Sequence, residues 1–471
     1  MSLASASRAA RVAVLICEMV VLARLFATED LGQIGVLILI VGLTVGTVAL
    51  IFGDWPVGCF IVLSIGAAMP RFQGTLFDLH VRPEHVTTVL AILAIGVQLY
   101  RGQFELNLKL RNFDYWLIAY IAMNFFSSGL TSPDARKTMV WATLNALVVT
   151  PFFLVRLLVR TDQHLWRAVN GLILVGVAES IYGCLASISN HLLDTSWGIE
   201  LGQYGTIPGT YGTQYEANLF GSYTACTAVM CLALFLLSKQ SSRTWYGLGF
   251  MFGLIGAFFS LTRSVLVALP IAIFALLFFS ARKGQLRLRW LLPVAIGVGV
   301  VLAILSPFVL ESLSARISNT ADLASDSSTV GRVIQMGAAV EDVKEHPIFG
   351  TGTSSFQLLF KMADVGIQMK YEDDDIGWIS NSPLRVLHDT GIVGLTIFMV
   401  FLGTLVMAAY KALRVATRTT KLSISALAAG LLVYAICFQV TEATLLTFTW
   451  LHLGLLGACV QCSRQGEHAP A

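Results

Sequence analysis

Apolar runs close to the roughly 20 residues that cross a bilayer as a helix alternate with short polar breaks along almost the whole chain. They fall at roughly 10–27, 31–52, 55–70, 86–101, 114–130, 137–159, 166–187, 215–237, 244–262, 264–281, 290–311, 391–412, 423–443 and 446–463. The third, fourth and fifth runs are the weakest. The pattern predicts an all-α, polytopic integral membrane protein with about 14 (12–14) spans. One stretch breaks the rhythm: Glu311 to Gly391 is long, polar and flanked by spanning runs on both sides. The chain therefore divides into a transmembrane bundle over 1–310, a long loop with short helices over 311–391, and C-terminal transmembrane helices with a tail over 392–471.

The loop carries its own local signals. Asp326, Ser327 and Ser328 offer N-caps for a helix over about Val330–Glu345. Val333, Met336, Val340 and Val343 form an apolar seam on it, with Arg332, Gln335 and Asp342 on the other side. His346-Pro347 ends that helix, because a residue before proline avoids the α region. Gly350-Thr-Gly352 reads as a tight turn, and Ser354-x-x-Gln357 as a capping box for another short helix. Ser382-Pro383 then opens a helix through Leu384 to Thr390 that runs into the next span.

Composition sharpens the class. Of 471 residues, 56% are hydrophobic and 13% charged, against about a quarter charged in soluble domains; the mean hydropathy is +0.74. With the N-terminus inside, the segments that become cytoplasmic hold 19 of the 31 lysines and arginines and the short outer loops five. That asymmetry places both termini in the cytoplasm and the long loop outside. The opening MSLASASRAARVAVLICEM has basic residues ahead of an apolar run, as a signal peptide does. No small-residue cleavage site follows before Arg24, so a retained first span is expected. The eight cysteines lie in or beside apolar segments, which suits packing and not a disulfide framework. Cys459-x-x-Cys462 lacks a second pair, so no metal site is expected. Nothing resembles a nucleotide-binding glycine loop, and no nucleic-acid partner is expected.

Candidate chemistry clusters on the outer side. Arg263 stands between two apolar runs, where a tight hairpin needs no arginine. A cation there either snorkels to lipid headgroups or meets an anion. Arg316, Arg332 and Arg385 add guanidinium groups whose planar forks grip phosphate bidentately; each alone also reads as a solvated charge. His388 is a candidate for proton transfer, or a partly exposed histidine on a surface helix; His346 reads as structural. The run Glu372–Asp375 is either solvated loop or, alternatively, a cation site or a set of sugar-hydroxyl acceptors. Glu179 sits inside a span, where an acid is functional by default. Glu216 and Asn218 lie at the outer interface, and Glu18 and Glu442 carry weaker signals.

The order of an S/T-R pair at Thr262-Arg263, then an arginine ahead of HPIFGTGTSSF, then SNSPLRVLHDTGIVGL resembles the O-antigen ligase and polysaccharide polymerase superfamily of bacterial inner membranes. The likeness covers about Gly209 to Leu395. It implies a membrane glycosyltransferase fold of the all-helical GT-C kind, a polyprenyl-diphosphate-linked glycan donor, and no nucleotide sugar, metal or other cofactor. By motif, Arg263 and Arg332 take the places of the family's diphosphate-binding arginines. Ligases carry a His-Asn pair nine residues before a GxxG; ahead of Gly391-Ile-Val-Gly394 this chain has Ser380-Asn381.

The resulting expectation is a polymerase acting at the periplasmic face of the inner membrane, using undecaprenyl-diphosphate-linked oligosaccharide. Arg263, Arg332 and His388 are its expected catalytic residues, and Glu216, Arg316, Ser380, Asn381, Arg385 and Glu179 its substrate-binding residues. A chain-length regulator and a flippase are expected partners. A ligase delivering finished glycan to a lipid or protein acceptor is the alternative. A flippase or transporter is the reading from another class, and internal repeats or helices broken at mid-membrane would favour it.

Overall fold

The computed structural model describes residues 54–76, 79–200, 209–238, 243–282, 299, 327–361 and 377–465. The expected spans at 10–27, 31–52 and 290–311 lie outside these residues, as do Arg316 and the Glu372–Asp375 run. In chain order the helices are α1 (Trp55–Ala68), α2 (Pro83–Tyr100), α3 (Asn112–Leu130), α4 (Ala135–Val149), α5 (Pro151–Leu158), α6 (Asp162–Leu193) and α7 (Ala217–Leu237). There follow α8 (Arg243–Phe259), α9 (Arg263–Arg282), α10 (Ser327–Glu345), α11 (Phe356–Leu359), α12 (Ser382–Val415), α13 (Arg418–Cys437) and α14 (Thr447–Gln465). Two small antiparallel hairpins, β1 (Gly74–Leu76) with β2 (Leu79–Val81) and β3 (Ile199–Glu200) with β4 (Gly209–Thr210), lie in connections.

Among the described residues, α2, α4 with α5, α6, α7, α12 and α13 are long and apolar enough to cross a membrane, and α1 and α9 are shorter apolar helices. The molecule is thus a multi-pass helical membrane protein, with fewer such helices in view than the about 14 spans read from hydropathy.

Helix α7 forms the centre. Of its apolar window 94% is buried, against 28% for α12, which turns most of its side chains outward. It packs on α8, α13, α9 and α6. Small residues let these helices close up: a Cβ added at Gly253 of α8 would lie 2.9 Å from the Ala228 Cβ of α7. Packing over small residues is how helices associate where both solvent and side chains are apolar.

Hydrogen bonds define two polar ends. At one, Arg160 Nε donates to Leu157 O, Thr420 Oγ1 to Asp162 Oδ1 (2.8 Å) and Arg167 Nη1 to Asp54 Oδ2 (2.9 Å). Arg156, which along the chain reads as one of the cytoplasmic loop charges, belongs inside instead. It is fully buried, paired with the equally buried Asp114, and flanked by the Phe113 and Phe152 rings. A charge with a dedicated partner can stay in the bundle, where an unpaired one cannot.

The opposite end carries the loop. Helix α10 starts close to its expected N-cap serines, but its packed face differs from the expected valine seam. Val333 and Val340 are 64% and 40% exposed, whereas Ala339, with Ile334 and Ala338, packs on Phe356, Phe360 and Ile379. The alanines permit close approach to the stacked Phe356 and Phe360 rings (centroids 5.1 Å apart), which the bulkier valine face does not. Two caps shift by one residue for similar reasons. Ser354 does not cap α11: it has φ +60° and its hydroxyl accepts from Arg385 Nη2 at 2.7 Å. Asn381, not Ser382, caps α12 through Leu384 N (2.7 Å), because the Ser382 hydroxyl is engaged by Thr441 O.

Candidate active site at the loop-bearing end

Two motifs that the sequence sets almost forty residues apart interlock in space. The turn at Gly350–Ser355 wraps the first arm of α12, residues 382–390. Thr351 N donates to His388 O (2.9 Å), Gly352 N to Asp389 O (3.0 Å) and Ser354 N to Asp389 Oδ2 (2.9 Å). Past the arm, Ile392 N and Val393 N donate to Pro347 O (2.9 Å) and Ile348 O (3.3 Å), so the loop backbone caps the spanning half of α12. The kink that permits this is Gly391, at φ 66°, where an added Cβ would meet Ile348 O at 2.2 Å. Helix α3 closes the third side: Ser127 Oγ donates to Asp389 O (2.6 Å), and Thr353 N to Ser128 Oγ (3.0 Å).

Charged side chains fill the inside of this latch. His388 is wholly buried; its Nδ1 is 3.1 Å from Asp389 Oδ1 and its Nε2 is 3.1 Å from Asp342 Oδ2 of α10. A doubly protonated ring satisfies both contacts as a donor and then has no lone pair left to take a proton. The histidine thus ties the loop helix to α12, with Thr351 Oγ1 and the edge-on Phe356 ring as further neighbours. Arg385, also buried, reaches Ser354 Oγ, Asp389 Oδ2 (3.4 Å) and Glu442 Oε1 (3.6 Å).

Glu442, one of the weaker signals in the sequence, belongs to the connection Phe438–Leu446 between α13 and α14. Residues from four distant elements converge on it. Asn381 Nδ2 donates to Gln439 O (2.7 Å), Arg332 Nη1 to Val440 O (3.4 Å) and Ser382 Oγ to Thr441 O (3.2 Å). Thr441 Oγ1 donates to Glu216 Oε1 (3.2 Å), and Arg82 Nη2 to Leu445 O (2.9 Å). Arg82 also pairs with the buried Glu84 at 2.7 Å. Helix α9 packs on α13, with Ser264, next to Arg263, close to Cys437 at the end of α13, so Arg263 opens its helix beside this connection.

Glu179 lies one layer deeper. Its two oxygens accept from Thr213 N (2.8 Å) and Thr213 Oγ1 (2.7 Å). That fixes the irregular strand leading to Glu216; Gly212 sits there at φ +61° with no room for a Cβ beside Glu179. These bonds tie Glu179 to the segment that leads to Glu216. Ser380 is partly exposed just before the α12 cap.

The structure therefore brings Arg263, Arg332, Arg385, Glu216, Asn381 and His388 to one end of the bundle. What sequence reasoning missed is the hub itself. The available signal was Glu442, an acid with two threonines at the end of the next-to-last apolar run.

These features define a multi-pass helical membrane protein whose buried charges gather where a loop helix meets the bundle. Residues 248–399 match the family model for the O-Antigen ligase. The matched stretch, about a third of the chain, takes in Arg263, Arg332, the turn at Gly350–Ser355 and the α12 arm, and ends before Glu442. No curated protein matches the chain.

Proposed function

We propose that this protein is a polysaccharide polymerase. It transfers an undecaprenyl-diphosphate-linked O-antigen or exopolysaccharide glycan to an acceptor sugar hydroxyl at the periplasmic face of the inner membrane. The bond from the anomeric carbon to the diphosphate oxygen breaks, and the acceptor oxygen takes its place on that carbon. The departing diphosphate needs charge stabilisation more than a proton. Arginines already aimed at it supply that without reorganisation. Arg263 and Arg332 have this role, the first fixed at the head of a membrane helix and the second carried by the loop helix. The observation that carries the reading is the meeting of Arg332 with the Phe438–Leu446 connection, where Arg385, Glu216 and Glu442 already converge.

The matched family's name supports a second reading, ligation of finished glycan to another acceptor. Ser380-Asn381, standing where the ligases carry His-Asn, supports the polymerase. Deleting the gene and sizing the glycans separates the two. A polymerase loss leaves single repeats and no long chains. Long chains accumulating on the lipid carrier would make the protein a ligase, and unchanged glycans would remove both readings.

A further inference from the structure

The latch leaves one donor and one acceptor unmatched in the same buried place. Glu442 is held by a single oxygen. Its Oε1 accepts from Thr444 N (2.6 Å), Leu445 N (3.3 Å) and the Thr444 hydroxyl, and it faces Arg385 Nη1 at 3.6 Å. Its other oxygen, Oε2, is buried with no hydrogen-bond partner, and so is Arg385 Nη1. The two side chains are only 8% and 5% exposed. A carboxylate oxygen and a guanidinium N–H left unpaired out of water are costly. The 3.6 Å between Nη1 and Oε1 is too long for them to satisfy each other.

One simple chemical group answers both atoms. A hydroxyl accepts from a donor and donates to an acceptor through the same oxygen. A phosphate has only acceptors and would be repelled by the carboxylate, and an ammonium has nothing for Nη1 to donate to. The site therefore has the polarity of a sugar-hydroxyl site. Gln439 and Val440, just before Glu442 in the connection, are exposed.

We propose that Glu442 is the base of the glycan-transfer reaction: Arg385 Nη1 holds the oxygen of the acceptor hydroxyl, and Glu442 Oε2 takes its proton. The inference rests on the glycan-transfer reading above and adds the residue that activates the acceptor. As the acceptor oxygen bonds to the anomeric carbon, its proton passes to Oε2. The electron pair of the broken bond leaves on undecaprenyl diphosphate. His388, with both ring nitrogens facing carboxylates, is excluded from that step and keeps the turn and the arm in register. Glu442 is suited to the task because its second oxygen is fixed in place by the bonds to the first.

The test uses full-length protein in nanodiscs with two readouts. One is binding of undecaprenyl diphosphate. The other is elongation of the lipid-linked oligosaccharide that a deletion strain accumulates. Glu442→Gln keeps an oxygen for Thr444 and Leu445 and removes the basic oxygen. Elongation is expected to fall on the order of 10²–10⁴-fold, with undecaprenyl diphosphate affinity unchanged. Elongation at the wild-type rate would overturn the proposal. So would parallel loss of elongation and binding, the mark of a structural role, and so would Glu442→Asp, which retains a carboxylate, elongating no faster than Glu442→Gln while binding is intact. Wild-type protein that neither binds undecaprenyl diphosphate nor elongates would instead refute the glycan-transfer reading, leaving a result distinct from failure of Glu442 alone.

Discussion

Replacing His388 with alanine is expected to loosen the whole loop-bearing end and not merely to slow a reaction. The side chain is completely buried between Asp342 and Asp389. Removing it sets two carboxylates facing each other across a cavity with no cation between them. Breaking a buried pair by deleting one partner costs about 3–5 kcal/mol. The damage spreads because Asp389 also accepts from Ser354 N and pairs with Arg385. Thermal unfolding of the purified variant is expected to begin earlier, with faster proteolysis between α10 and α12. A variant that melts like wild type while its turnover falls would return the base role to His388 and remove it from Glu442.

Arg332→Lys is expected to act in the opposite way, sparing the fold and removing most of the turnover. The Arg332 side chain is partly exposed, and its bond to Val440 O, at 3.4 Å, is long. Little stability rests on it. Lysine keeps the charge but loses the planar fork that matches two phosphate oxygens. Loss of one donor that stabilises developing charge typically lowers turnover about 10²–10³-fold. Elongation assays beside a melting curve check this. Normal elongation by Arg332→Lys would show that charge alone suffices.

Much of the local structure was legible because it is written within single helices. The serines at its start and His346-Pro347 bracket α10, and Gly350 and Gly352 marked a place where the backbone turns, whereas the kink at Gly391 interrupts what the sequence reads as a helix running on into the span. The motifs HPIFGTGTSSF and SNSPLRVLHDTGIVGL were visible as separate strings. Their interlock was not, since the hydrogen bonds from Thr351 and Gly352 to the α12 arm are set by tertiary packing. Arg156 shows the same limit. Read along the chain it is a loop charge, but its partner Asp114 lies 42 residues away. Glu442 looked marginal because it lies near a membrane interface, where an acid is ordinary; Arg385 reaches it only once α12 and the last connection are assembled. On α10 the valine seam satisfied helical periodicity, and the alanine face won through closer packing.

The central claim is that Arg263 and Arg332 together hold the diphosphate of a lipid-linked donor. Binding of undecaprenyl diphosphate to wild-type, Arg263→Ala and Arg332→Ala protein in nanodiscs tests it most directly. A charge-assisted hydrogen bond contributes about 1.5–3 kcal/mol, so each alanine is expected to weaken binding about 10–100-fold, with melting behaviour preserved in Arg332→Ala. Inorganic pyrophosphate should compete with the lipid for the wild-type site. Equal affinity in all three proteins would contradict the account and leave the bundle to be read as a transporter.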